Sequence, residues 1–77
     1  MSRTFQDSNL LKWEAYASGG AHGYSDHARI VFSCLSDRSR RARVVQLEGD
    51  QSDAEREVAE ATEQRLAELL AGAAELS

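Results

Sequence analysis

Four arginines lie close together near the middle of the chain and make it the most strongly basic segment of the sequence. They are Arg38, Arg40, Arg41 and Arg43, and Arg29 can join them from a neighbouring strand. Guanidinium groups bind phosphates and carboxylates through paired hydrogen bonds. The cluster therefore predicts an electrostatic binding surface for a partner that carries negative charge.

Three interpretations of this arginine cluster compete. The first is recognition of a protein partner. The second is binding of a nucleic acid, in which Tyr16 or Tyr24 stacks on a base. The net negative charge of the whole chain opposes this second interpretation, because it repels phosphates. The third is a structural role, in which the arginines protect an edge strand from aggregation or pair with acidic side chains.

The segment 18–27 is rich in glycine and contains side chains that bind metals in other proteins. His22, Asp26 and His27 supply suitable ligand atoms, but their spacing matches no established pattern. The glycines also lack the spacing of a phosphate-binding loop. We therefore expect a solvated loop here, with no metal and no cofactor.

Cys34 is the single cysteine of the chain, so an internal disulfide and a cysteine-based zinc site are both excluded. A catalytic thiol needs a base nearby and an electropositive environment. His27 lies seven residues earlier, which is about 23 Å away along an extended strand. The sequence predicts no catalytic residues, and we do not expect an enzyme.

The composition is that of a small globular domain. The chain has 77 residues, of which 42% are hydrophobic and 29% are charged, and its net charge is −4. A chain of this length buries only about 60% of its unfolded surface, which leaves little room for a deep substrate cavity. No apolar stretch approaches the roughly 18 residues of a membrane span, and the N-terminus does not resemble a signal peptide. We expect a cytoplasmic protein that does not bind membranes.

The charge is distributed unevenly along the chain. Residues 1–50 contain seven basic and six acidic side chains, whereas residues 51–77 contain two basic and seven acidic ones. The first part therefore carries +1 and the second part −5. This asymmetry favours a binding partner over a small substrate.

The hydrophobic pattern predicts an α+β fold with a flexible N-terminal arm at residues 1–9 and a single compact domain at 10–77. The predicted elements are strands at 10–17, 28–35 and 41–48 and one helix at 52–75. The connections are too short for crossover helices, so the strands should form a three-stranded antiparallel meander in the order 1-2-3. The long helix is expected to pack on one face of this sheet.

The predicted helix is long relative to the sheet. Ser52 and Glu55 form a capping box at its start. Its apolar stripe consists of Val58, Thr62, Leu66, Leu69, Ala73 and Leu76. The helix would span about 36 Å, whereas strands of seven residues span about 23 Å. Its last turns should extend beyond the sheet and offer Leu70 and Leu76 to a partner. The alternative is that the last turn frays and the N-terminal arm covers Leu69 and Leu70.

The predicted sheet carries apolar side chains on both faces. The expected core consists of Leu11, Trp13, Ala15, Ile30, Phe32, Cys34, Val58, Leu66 and Leu69. The opposite face carries Tyr16, Val31 and Leu35, together with either Val44 or the pair Val45 and Leu47. A single helix covers only one face, so the second is a candidate surface for self-association. Scattered apolar residues on a solvated surface are the ordinary alternative.

These observations predict a small non-enzymatic interaction module that forms a homodimer or binds an unidentified protein. Its apolar contacts are expected from Tyr16, Val31, Leu70 and Leu76, and its electrostatic contacts from the arginine cluster and Arg29. The alternative is a weak nucleic-acid-binding module that uses the same arginines.

Overall fold

The chain folds into a five-stranded antiparallel sheet with two helices packed on one face. The computed structural model describes residues 2–18, 28–47, 49 and 51–75. In chain order the elements are β1 (Ser2–Gln6), β2 (Lys12–Ser18), β3 (Arg29–Cys34), β4 (Arg43–Gln46), α1 (Gln51–Glu60), α2 (Glu63–Ala71) and β5 (Ala74–Glu75). The strands lie in the sheet in their sequence order, β1-β2-β3-β4-β5. The protein is therefore a small α+β structure, as predicted, but with two more strands and one more helix.

The three predicted strands correspond to β2, β3 and β4. They pair antiparallel in that order, with Ala15 opposite Phe32 and Phe32 opposite Arg43. Alternation of apolar and polar residues identifies a strand because successive side chains point to opposite faces. β-branched residues are enriched in strands and add to this signal. The predicted meander is present as the central part of a wider sheet.

In place of the flexible arm expected at residues 1–9, residues 2–6 form the edge strand β1, which pairs with β2. Phe5 is 3% exposed, and its ring meets that of Phe32 edge to face at 5.9 Å between centroids. A strand with a single large apolar residue gives a weak alternation signal. Pairing with β2 and burial of Phe5 stabilise it all the same, because these contacts come from distant parts of the chain.

The prediction of one continuous helix over 52–75 is wrong, because the chain leaves the helical path at Ala61 and Thr62. Thr62 has an extended backbone, with φ −71° and ψ 163°, and is the N-cap of α2. Its side-chain oxygen accepts a hydrogen bond from the backbone N–H of Arg65 at 3.1 Å. Threonine is a good N-cap residue, but it is also tolerated within a helix. The helical spacing of apolar residues therefore continued across Thr62 and concealed the start of a second helix there.

Arg3 on the edge strand binds the end of α1. Its Nη1 donates to the carbonyl oxygens of Val58, Ala59 and Ala61, at 3.2 Å for Val58 and 3.4 Å for Ala59. The last carbonyls of a helix lack partners within the helix and carry partial negative charge. The guanidinium of Arg3 supplies hydrogen-bond donors to these carbonyls and a positive charge beside them. It thereby stabilises the connection between α1 and α2.

The inner face of the sheet and both helices share one hydrophobic core. Its buried members are Phe5, Trp13, Ala15, Ala28, Ile30, Phe32, Cys34, Ala54, Val58, Leu66 and Leu70. Of the nine residues predicted for the core, seven are buried, and Leu11 and Leu69 pack against it partly buried. Val45 on β4 and Leu47 just after it contact the core. Val44 has the opposite parity and therefore belongs to the outer face.

The break at Thr62 also removes the predicted overhang of the helix. Leu70 is only 3% exposed, because α2 packs against β1 and β4 and places this side chain in the core. Its expected role as an exposed partner contact is therefore corrected to a core role. Leu76 lies outside the described residues. Within the described part of the chain, neither helix has the length and apolar character needed to cross a membrane.

Candidate functional site

Asp37 organises the connection between β3 and β4, which carries most of the arginine cluster. Its Oδ1 accepts hydrogen bonds from the backbone N–H of Ser39 at 3.1 Å and from the Ser39 hydroxyl at 2.6 Å. The backbone N–H of Arg40 donates to the Asp37 carbonyl oxygen at 3.1 Å, and Arg40 Nε lies 3.6 Å from Asp37 Oδ2. Aspartate often stabilises turns in this way.

The same contacts favour the ionised form of Asp37. The hydrogen bonds from the Ser39 hydroxyl and N–H lower the pKa of the Asp37 carboxyl. Desolvation opposes this effect, and the charge of Arg40 lowers the pKa further. The Asp37 carboxylate therefore lies beside the arginine cluster and forms an ion pair with Arg40.

Three of the predicted arginines line one shallow cavity of about 190 Å³. The cavity is lined by Trp13, Ser39, Arg40, Arg41, Arg43 and Glu75. The guanidinium carbon of Arg43 lies 5.6 Å from the centroid of the Trp13 ring, within the range of a cation–π contact. Pairing of β4 with β5 places Glu75 directly opposite Arg43. We call this feature the arginine cavity.

The remaining two predicted arginines lie elsewhere. Arg38 lines a neighbouring cavity of about 310 Å³ together with Cys34, Leu35 and Arg40. Arg29 lies at the far end of β3, opposite Ser18 and Gln46 in the register. Arg29 and Arg43 are on opposite faces, because Arg43 pairs with Phe32, three residues along β3 from Arg29. The expectation that Arg29 joins the cluster is therefore wrong.

Asp7, in the turn between β1 and β2, fixes the orientation of the Trp13 ring through a hydrogen bond. Its Oδ2 accepts a hydrogen bond from Trp13 Nε1 at 2.8 Å. Its Oδ1 accepts from the backbone N–H groups of Asn9 at 2.8 Å and Leu11 at 3.0 Å. Desolvation raises the pKa of the Asp7 carboxyl, but the hydrogen bonds and the charge of Arg40 outweigh it, so the pKa is lowered.

The lowered pKa of Asp7 predicts a loss of stability in acid. A carboxyl with a lower pKa in the folded than in the unfolded state contributes stability above its ordinary pKa of about 4, and this contribution disappears as the pH falls through the folded pKa. Urea unfolding of the wild type and Asp7→Asn between pH 7 and pH 2 measures it. We expect Asp7→Asn to be less stable at neutral pH and the difference to shrink below about pH 4.

The matched control for this experiment is Glu60→Gln, which neutralises an exposed carboxylate at the end of α1. Its difference from the wild type should stay small across the same range, since exposed charges contribute little. A difference for Asp7→Asn that remains constant down to pH 2 would contradict the assignment.

A row of apolar side chains crosses the outer face of the sheet, on the side away from the helices. This central row consists of Tyr16, Val31, Val44 and Ala74, which are successive cross-strand partners on β2, β3, β4 and β5. Tyr16 is 37% exposed, Val31 is 8% exposed, Val44 is half-buried and Ala74 is exposed. Two of the four predicted apolar contact residues, Tyr16 and Val31, therefore lie side by side.

Two side chains of opposite charge flank the central row. Glu14 lies two residues before Tyr16 on β2, and Arg29 lies two residues before Val31 on β3. Because β2 and β3 are antiparallel, Glu14 and Arg29 lie on opposite sides of the row. Glu14 accepts a hydrogen bond from the hydroxyl of Ser2 at 2.9 Å, and Arg29 is exposed.

The remaining residues singled out in the sequence lie outside the arginine cavity and the central row or outside the described residues. Leu35 is 44% exposed at the end of β3, and Cys34 is buried in the core. Tyr24 and the possible metal ligands His22, Asp26 and His27 lie outside the described residues. Within the described ranges, no three His, Cys, Asp or Glu side chains come together as a metal site would require.

Glu75 and Asp7 are the two site residues that sequence reasoning missed. Glu75 belonged to the last turn of the predicted helix, and only the pairing of β5 with β4 places it beside Arg43. Asp7 belonged to the predicted arm. The sequence Asp7-Ser8-Asn9 is typical of a turn, and it was the available sign that the segment folds back on itself.

In comparisons with known proteins, no family model, no curated protein and no solved structure matches this chain.

Proposed function

We propose that this protein is a non-enzymatic interaction module that forms a homodimer through the outer face of its sheet. The observation that carries the proposal is the central row, which is continuous across four strands while both helices pack on the opposite face. A sheet that is solvated on one face normally carries alternating polar residues there. Apolar side chains in register across four strands favour packing against another surface.

The charges beside the central row favour a second copy of the chain as that surface. Consider two copies packed face to face, with a two-fold axis along the central row. The axis exchanges the two sides of the row, so Glu14 of each copy approaches Arg29 of the other. The two apolar rows lie against each other at the same time. The surface is thus complementary to itself, which a symmetric dimer requires.

The dimensions of the face suggest a weak dimer. Five strands spaced about 4.8 Å apart, with up to seven residues at about 3.4 Å each, give a face on the order of 500 Å². Standard interfaces bury about 800 Å² of accessible surface on each partner. This face is therefore smaller than a standard interface, and the concentration series should extend from micromolar to millimolar protein.

Sedimentation equilibrium over a series of protein concentrations tests the proposal. The wild type should pass from monomer to dimer with increasing concentration. Tyr16→Lys should remain monomeric to at least tenfold higher concentration, because a lysine at the row must be desolvated against apolar side chains. Leu10→Lys makes the same kind of change at an exposed position in the turn between β1 and β2 and should dimerise as the wild type does. A wild type that stays monomeric at millimolar concentration would refute the proposal.

A further inference from the structure

The arginine cavity lies on the inner side of the sheet, so it does not belong to the proposed dimer surface. Arg43 shares the inner face with Trp13, and Arg40 and Arg41 approach from the turn between β3 and β4. Within the described residues, Arg40 forms an ion pair with Asp37, whereas Arg41 and Arg43 form none. Two guanidinium groups at the wall of one small cavity therefore have no ion pair within the part of the chain that the structure describes.

We propose that the arginine cavity binds the phosphate group of a phosphate monoester. A carboxylate has one charge and two oxygens, which a single guanidinium can satisfy. A phosphate monoester carries about −1.5 to −2 charges at pH 7 and offers three acceptor oxygens, so it can engage several arginines at once. Three arginines at one cavity wall match the second chemistry better than the first.

The size of the cavity limits how much of the ligand enters. Its volume of about 190 Å³ lies below the roughly 300–1,000 Å³ of sites that enclose a whole small molecule. The cavity therefore accepts the phosphate group itself, while the rest of the ligand remains at the surface. The phosphodiesters of a nucleic acid backbone carry one charge each and lack a terminal phosphate, so they fit the cavity less well.

Glu75 opposes the ligand from the same wall. β5 places it opposite Arg43, where its negative charge repels a phosphate and competes for the guanidinium groups. The affinity of the wild type for phosphate is thereby lowered. Removal of this charge in Glu75→Gln should therefore increase the affinity for phosphate. A basic surface without a defined site would not predict this gain at one position.

Titration of the protein with inorganic phosphate at constant ionic strength tests the site. Trp13 is the only tryptophan, so its fluorescence reports on the cavity, and amide NMR shifts of residues 39–43 provide a second signal. We expect saturable binding, weakened at least about fivefold by Arg41→Gln and strengthened about two- to fivefold by Glu75→Gln. Arg56→Gln removes the same charge from the exposed surface of α1, away from the residues that line the cavity, and should leave the affinity within about twofold.

Three ligands then separate the possible chemistries. O-phosphoserine should bind at least as well as inorganic phosphate, whereas acetate and a thymidine oligonucleotide without terminal phosphates should bind more weakly. Acetate that matches phosphate, or an oligonucleotide that exceeds it, would overturn the assignment to a phosphate monoester. Shifts that fail to saturate, or an equal loss for Arg56→Gln and Arg41→Gln, would show that no site exists. Sedimentation of the same samples measures the dimerisation independently. A missing phosphate site and a missing dimer are therefore observed as separate results.

Discussion

Replacement of Trp13 by alanine is expected to lower the free energy of unfolding by about 3–5 kcal/mol, as is typical for truncation of a buried aromatic residue. Trp13 is 2% exposed and belongs to the core. Its Nε1 also donates to Asp7, and Arg43 lies over its ring. The substitution therefore removes apolar packing, leaves the Asp7 carboxylate without one of its donors, and removes one wall of the arginine cavity.

The loss is large relative to the stability of a small domain, which is about 5–15 kcal/mol. At about 4–8 °C per kcal/mol, Tm should fall by at least about 12 °C. Circular dichroism at fixed protein concentration measures the change, since Trp13→Ala removes the fluorescent reporter. Leu10→Ala is the matched control, because this leucine is 74% exposed and its truncation should change stability by less than about 0.5 kcal/mol. A loss below 1 kcal/mol for Trp13→Ala would contradict the packing described here.

Reversal of charge at Glu14 is expected to weaken the dimer about 30-fold. The Glu14→Arg substitution replaces an attraction to Arg29 of the other copy with a repulsion. Each exposed pair contributes about 0.2–1 kcal/mol, and repulsion costs a similar amount. At about 0.5 kcal/mol for each lost attraction and each new repulsion, the two symmetric contacts together cost about 2 kcal/mol, or roughly 30-fold in the dissociation constant. Arg29→Glu should weaken the dimer to a similar extent.

The double substitution distinguishes the proposed two-fold axis from a general effect of charge. Glu14→Arg combined with Arg29→Glu restores the opposite charges with their positions exchanged, and the dissociation constant should return to within about threefold of the wild type. Glu60→Arg changes the net charge by the same amount as Glu14→Arg on a helix at the other face, and should have little effect. A double variant as weak as the single ones would exclude the axis along the central row.

The strands with strong local patterns were predictable, whereas the others were not. β3 has β-branched and aromatic residues along most of its length, and β2 alternates apolar and polar residues. β5 has two residues with no strand signal of their own, and it pairs with β4 only because the chain turns back after α2. The break between the helices was also hidden, since the residues on both sides of Thr62 are good helix formers.

The candidate sites show the same division. The concentration of arginines between residues 38 and 43 is visible in the sequence, as is the apolar character of Tyr16 and Val31. Which arginines share a cavity depends on strand register, and register excluded Arg29 and brought in Glu75. Leu70 was placed at a free surface because a straight helix would have carried it there, and the second helix places it in the core instead.

The chain's own residues thus specify an α+β class, a central antiparallel meander, an acidic helical region and a basic turn. Each of these follows from contacts between residues near one another in the sequence, whose periodicity and turn chemistry are readable directly. The position of Val44 on the outer face, the cap at Thr62 and the meeting of Glu75 with Arg43 depend instead on tertiary packing. They arise from pairings between distant residues, in which small differences in buried area and hydrogen bonding select one register among several that local preference permits.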